Sequence, residues 1–173
     1  MGLEEILREH ANQHARCAGK SVDELLALTN GNEIEFIQSL EMAVRQKLER
    51  VGEKSLSEEE RIVLAIEALE REVNNGGYSQ FFTNSSGEYT PIIVDSLLRI
   101  GCPETAKITK KAIDTLGIQD LSSESLASVF ESEDEARDEQ LDECDQMYYA
   151  AGVENIGSKL IDFVKANKNA IQP

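Results

Sequence analysis

The sequence has no tryptophan, and five phenylalanines and four tyrosines are its whole aromatic complement. Leu, Ile, Val and Ala must fill most of the interior, a composition that favours helices over a β-sandwich. Cysteines are few as well. Cys17, Cys102 and Cys144 are odd in number, widely spaced and outside any CxxC pattern, so neither a disulfide framework nor a zinc knuckle is suggested, and they read as buried, reduced thiols. Positive charge is scarce: 17 bases stand against 33 acids, for a formal charge of −16. Nucleic acid is recognised first through Lys and Arg, which argues against direct DNA or RNA binding, and an anionic membrane surface would repel the chain. No apolar run approaches the roughly 18 residues of a spanning helix. The N-terminus, MGLEEILREHANQ, has neither the basic leader nor the apolar stretch of an export signal. The expectation is a soluble, cytoplasmic protein.

What is present is dense helical punctuation. Leu3, Ile6, Leu7, His10, His14 and Cys17 share one face of a first helix ending near Gly19. Ser21 with Glu24, Asn32 with Glu35 and Ser57 with Glu60 each form a capping signal for the helix that follows. The second of these helices carries Ile34, Ile37, Leu40, Val44, Leu48 and Val51. The third carries Ile62, Ile66, Leu69 and Val73, with Asn74-Asn75-Gly76-Gly77 as its terminator. Thr90-Pro91 and Cys102-Pro103 place Pro at two helix starts, framing a helical hairpin over about 91–100 and 103–116. A short helix around Leu126, Val129 and Phe130 lies in a Ser-rich stretch, and a last helix over about 155–168 turns Ile156, Leu160, Ile161 and Val164 inward. Strand signals are almost absent. One all-α domain over 1–173 is predicted, with a helical body over about 1–117 and the Ser-rich loop, an acidic helix and the last helix over about 118–173.

The charge is local: −6 over residues 1–60, −1 over 61–119, −10 over 120–145 and +1 over 146–173. On a wheel of ~100° per residue Arg137, Leu141, Cys144, Tyr148 and Ala151 share one face of an amphipathic helix. Glu131, Glu135, Asp138, Glu139, Asp142, Glu143 and Asp145 spread over the other. Taken as one helix from Glu131 to Asp145, the segment runs roughly 21 Å at ~1.5 Å per residue. A DNA strand carries a phosphate per ~3.4 Å, so about six phosphates fit that length on one strand and about twelve on both. The nine acids here, counting Glu133 and Asp134, lie between those figures. An acidic helix face is ordinarily a solvated face. This one has a cost, because like charges at i,i+4 destabilise a helix and only Arg137 offers local relief, whereas mixed signs would give solubility without it. A field of this sign and density suits a basic protein surface built for nucleic acid, which it would attract and occupy.

Recognisable catalytic patterns are missing: no Gly-rich phosphate loop, GxSxG, Cys-His pattern or EF-hand order occurs. His10, His14 and Cys17 fall at i, i+4 and i+7, a spacing that can converge on a metal. No HExxH or ExxH accompanies them and they share the stripe of Leu3, Ile6 and Leu7, so core packing is the favoured reading. No catalytic residue, cofactor or metal site is assigned.

Val73–Tyr89 is the most distinctive stretch. Its glycines end a helix, and Tyr78, Phe81, Phe82 and Tyr89 are large anchors for the turn, with a ligand pocket as the alternative. Val73-Asn74-Asn75-Gly76-Gly77-Tyr78-Ser79-Gln80-Phe81-Phe82, with Asn84 and Gly87 behind it, resembles the hallmark of a bacterial all-helical family. The best-understood member of that family is an acidic DNA mimic of neisserial type. Length, helix order and the late acidic helix are similar too, so the resemblance spans the chain. It implies a homodimer that imitates duplex DNA and sequesters a helix-turn-helix transcription factor from its operator, without catalysis. The seven acids from Glu131 to Asp145 named above would then be phosphate stand-ins. Two other readings stay open: an acidic helical adaptor for a basic protein, such as a histone-like one, without DNA mimicry, and a metal-dependent enzyme using His10, His14 and Cys17.

Overall fold

The structure, a computed structural model, describes Gly2, residues 15–150 and residues 154–173. Among these residues it is all-α, without a strand. Most of the first predicted helix, with Leu3, Ile6, Leu7, His10 and His14, lies outside the described residues, as does Ala151; Cys17 is buried. The chain divides into two compact units, Met1–Leu64 with Leu160–Pro173, and Ala65–Lys159.

In the first unit, α1 (Val22–Leu28) starts at a complete capping box: the Glu24 carboxylate accepts from Ser21 N–H at 2.8 Å and the Ser21 hydroxyl accepts from Glu24 N–H at 3.3 Å. Asn32 caps α2 (Glu33–Val51) by accepting from Glu35 N–H at 3.2 Å. The buried face of α2 is Phe36, Ile37, Leu40, Ala43 and Val44, while Ile34 is 73% exposed and Val51 is exposed too. The predicted stripe is therefore rotated by about 50° on the wheel. Burying Phe36 removes more apolar surface from water than burying Ile34 would, so the helix turns toward it. Ser57 and Glu60 cap α3 (Glu58–Thr83) reciprocally. The fully buried Glu60 carboxylate also takes Lys47 Nζ and the N–H of Gln172, both at 2.9 Å, which pins the tail where Ile171 is buried.

α3 continues into the second unit. The predicted terminator at Asn74–Gly77 is a break inside the element: Gly76 (φ −159°, ψ 24°) and Gly77 (φ 75°, ψ −174°) leave the helical region, and the helix resumes to Thr83. A 3-10 turn over Ser85–Tyr89 leads into α4 (Thr90–Ile100), with Pro91 in its first turn. Gly101, at φ 87°, reverses the chain into α5 (Pro103–Thr115). The first turn of α5 is capped by Glu154, whose carboxylate accepts from the N–H groups of Glu104 at 3.0 Å and Thr105 at 2.8 Å. Ser122 caps α6 (Ser123–Phe130), where Leu126 is buried. α7 (Glu135–Ala150) packs along α5, and α8 (Ile156–Ala166) buries Ile156, Leu160, Ile161 and Val164 as its spacing predicts.

Candidate partner-binding face

The acidic segment is shorter as a helix than its wheel suggests. α7 begins at Glu135, not Glu131. Asp134 stops it by accepting from Arg137 N–H at 3.0 Å, an N-cap bond that satisfies one of the free donors of the first turn. Arg137 reaches back from the helix: its guanidinium donates to the carbonyls of Val129 and Ser132 and lies 4.7 Å from the Phe130 ring centre. These bonds hold 131–134 as a bend, so Glu131 is exposed beside the helix rather than on it. From Glu135 to Glu143 the axial run is roughly 12 Å instead of 21 Å, which matches about four phosphates along one DNA strand.

The inner face is the predicted one. Arg137, Leu141, Cys144 and Tyr148 are buried, at spacings of four, three and four. With Arg137 only 8% exposed, the single base of the segment is withdrawn from the surface. Glu135, Asp138, Glu139, Asp142 and Glu143 are all exposed. Asp138 pairs with Arg137 at 2.8 Å and Glu143 with Lys111 at 3.1 Å. No cation is within ion-pair reach of Glu135, Glu139 or Asp142 among the described residues. The unpaired row thus has one turn of carboxylates, and then another, with a local field that α7 itself does not neutralise.

Asp145 departs from this row. Its carboxylate turns toward the break in α3 and accepts the backbone N–H of Tyr78 at 2.8 Å. Burial pushes its pKa upward, the Tyr78 N–H opposes that, and the neighbouring charge of Asp142 adds to it. Asp145 thus differs from the other six acids of the expected row: it is half-buried, and one of its two carboxylate oxygens is bonded inside the unit. Four residues on, the Tyr149 hydroxyl donates to the Val73 carbonyl at 2.6 Å, and the Tyr148 hydroxyl donates to Glu70 at 3.2 Å.

The distinctive motif is accounted for by the same contacts. Tyr78 is fully buried, with its hydroxyl 2.8 Å from Thr109 Oγ1 and its ring edge-on to Tyr148 at 6.0 Å. Phe81 and Phe82 pack against each other, and Phe82 stacks at 6.4 Å on Phe130. Gln80, Asn84 and Ser86 all donate to the buried Glu72 carboxylate, at 2.8, 2.8 and 3.1 Å. Burial alone would raise that group; the three donors and Arg71 outweigh it and hold its pKa below the usual carboxylate range. Glu72 lies four residues before the break and carries no motif signal, so sequence reasoning missed it. No cluster of three or more potential metal ligands occurs among the described residues, and His10 and His14 lie outside them.

A family model described as DMP19-like protein matches residues 54–167. That span holds the motif, the outward carboxylates and the helices that position them. No curated protein and no solved structure matches the chain.

Proposed function

The chain belongs to the DMP19-like family, a DNA-mimic family, and on that premise we propose that it regulates transcription by occupying the DNA-binding surface of a helix-turn-helix factor. The likeness of its motif to the neisserial type supports the same partner class. Glu135, Asp138, Glu139, Asp142 and Glu143 on α7, with Glu131 beside them, are the phosphate stand-ins, and no catalysis is involved. The observation that carries this reading is the division of α7: its one base is buried while five acids are exposed along one side. A face built only for solubility gains nothing by hiding its cation. A homodimer, which the resemblance implies, would present two such rows; sedimentation of the pure chain tests it.

The test is exclusion. DNA-binding proteins retained by the immobilised chain from a native extract are purified and returned to labelled duplex DNA, with and without the chain. The mimic reading expects the chain to release the duplex and expects Glu135→Lys/Glu139→Lys/Asp142→Lys, folded by circular dichroism, to fail. A stable ternary complex of chain, factor and duplex would establish the adaptor reading instead.

A further inference from the structure

We propose that Asp145 and Tyr149 are positioning residues, docking α7 onto the Gly76–Gly77 break and so setting the register in which its outward carboxylates stand. The inference rests on the mimic reading of the α7 face and assigns a role to the motif that the reading leaves unused.

A helix interrupted at two consecutive residues exposes backbone groups that would otherwise bond four residues along the chain. At this break two such groups, the Val73 carbonyl and the Tyr78 N–H, are each met by a side chain of α7, Tyr149 and Asp145. Those side chains are four residues apart and so lie on one side of α7, one above the other. Together they fix both translation and rotation. A slip of one residue would move α7 by ~1.5 Å along its axis and turn it by ~100°, breaking both bonds and carrying the acidic row away from its direction.

Gly77 serves this docking twice. Its φ of 75° lies in the left-handed region, and a Cβ there would overlap the Asp145 carboxylate. Glycine at this place makes room for the acid that comes from 68 positions along the sequence. A charged acceptor also suits the site, because a carboxylate accepting a backbone N–H forms a stronger bond than a neutral group does.

The test uses the full chain with Asp145→Ala, Asp145→Asn, Gly77→Ala and, as a plain loss of one outward charge, Glu139→Gln. Two readouts are taken: amide hydrogen exchange at Tyr78, and release of duplex DNA from the retained DNA-binding protein. Asp145→Ala should speed exchange at Tyr78 by about tenfold or more and weaken release by about tenfold. Asp145→Asn has lost the charge but keeps an acceptor oxygen, and should recover most of both. Glu139→Gln should leave exchange at Tyr78 as in the parent. Gly77→Ala should match Asp145→Ala in exchange; if it does not fold, the Ala and Asn variants of Asp145 decide. Unchanged exchange in Asp145→Ala, with Ala and Asn equally weak in release, would overturn the proposal and return Asp145 to the phosphate stand-ins. If the parent chain itself fails to release DNA, the mimic reading falls, and the exchange readout alone upholds or overturns the docking.

Discussion

Neutralising the middle of the acidic row should make the isolated chain more stable and its complex weaker. Glu139 and Asp142 are the residues to change, because both are exposed and neither has an ion-pair partner among the described residues. They also lie beyond the first turn of α7, where acids are favoured by the helix dipole. Replacing both by Gln removes the repulsions Glu135–Glu139, Glu139–Asp142, Glu139–Glu143, Asp138–Asp142 and Asp142–Asp145. At roughly 0.2–0.5 kcal/mol each these would total about 1–2.5 kcal/mol in an isolated helix. Solvent screening on an exposed face reduces that to about 1 kcal/mol at low salt, and a chain of this size melts ~2–4 °C higher per kcal/mol. The pairs Asp138–Arg137 and Glu143–Lys111 stay intact. In the complex, two lost contacts of ~1 kcal/mol each weaken binding by about thirtyfold, and the dependence of log affinity on log salt becomes shallower by about two. Thermal melts at low and moderate salt, beside DNA-release titrations, measure both sides. A variant that melts lower than the parent at low salt, or releases DNA as well as the parent does, would refute the argument from crowded, unpaired carboxylates.

Burial pushes the Glu70 carboxyl above its ordinary range, with the Tyr148 hydroxyl opposing it. A raised native pKa penalises the fold at neutral pH and relents as pH falls through it. Glu70→Gln should therefore melt above the parent at neutral pH and converge with it by about pH 4. Glu154 behaves oppositely: burial raises it, but the N–H groups of Glu104 and Thr105, the Thr105 hydroxyl and Lys107 outweigh this and hold it low. Its contribution is present above the ordinary carboxylate pKa and lost as pH falls through the lowered one, so Glu154→Gln should melt below the parent at neutral pH, with the gap closing in acid. Cys17, Cys102 and Cys144 are buried, and burial pushes Cys102 up to about 11 and Cys144 upward. Thiol reagents should label all three slowly in the native chain and quickly in denaturant, and fast native labelling of Cys144 would contradict the packing of α7.

Local signals were the readable ones. The Ser21, Asn32 and Ser57 caps, the prolines opening α4 and α5, and the inward face of α7 all depend on residues within one or two turns of each other. Each of these is legible from spacing. The errors have a different origin. A wheel drawn from Glu131 assumes an unbroken helix and cannot see Arg137 folding back on the carbonyls of Val129 and Ser132. Nor can it show that Asp145 meets the N–H of Tyr78, 67 residues away in sequence. The rotation of α2 toward Phe36 shows the same limit: periodicity marks a face, and the neighbours decide its centre.

The bond from Tyr78 to Asp145 also sets a timetable during synthesis. The ribosome must add 67 residues after Tyr78 before that N–H has its acceptor, which at ~5–20 residues per second is about 3–13 s. Tyr148, the edge-on neighbour of the Tyr78 ring, emerges later still, and Phe130, the stacking partner of Phe82, comes only shortly before. For those seconds a nascent chain displays Tyr78, Phe81 and Phe82 beside an unfinished helix, the apolar and unpaired surface that chaperones bind and that aggregates in their absence. Slow translation between codons 84 and 145 should lengthen this interval, and truncated chains that end before Asp145 should require a chaperone to remain in solution.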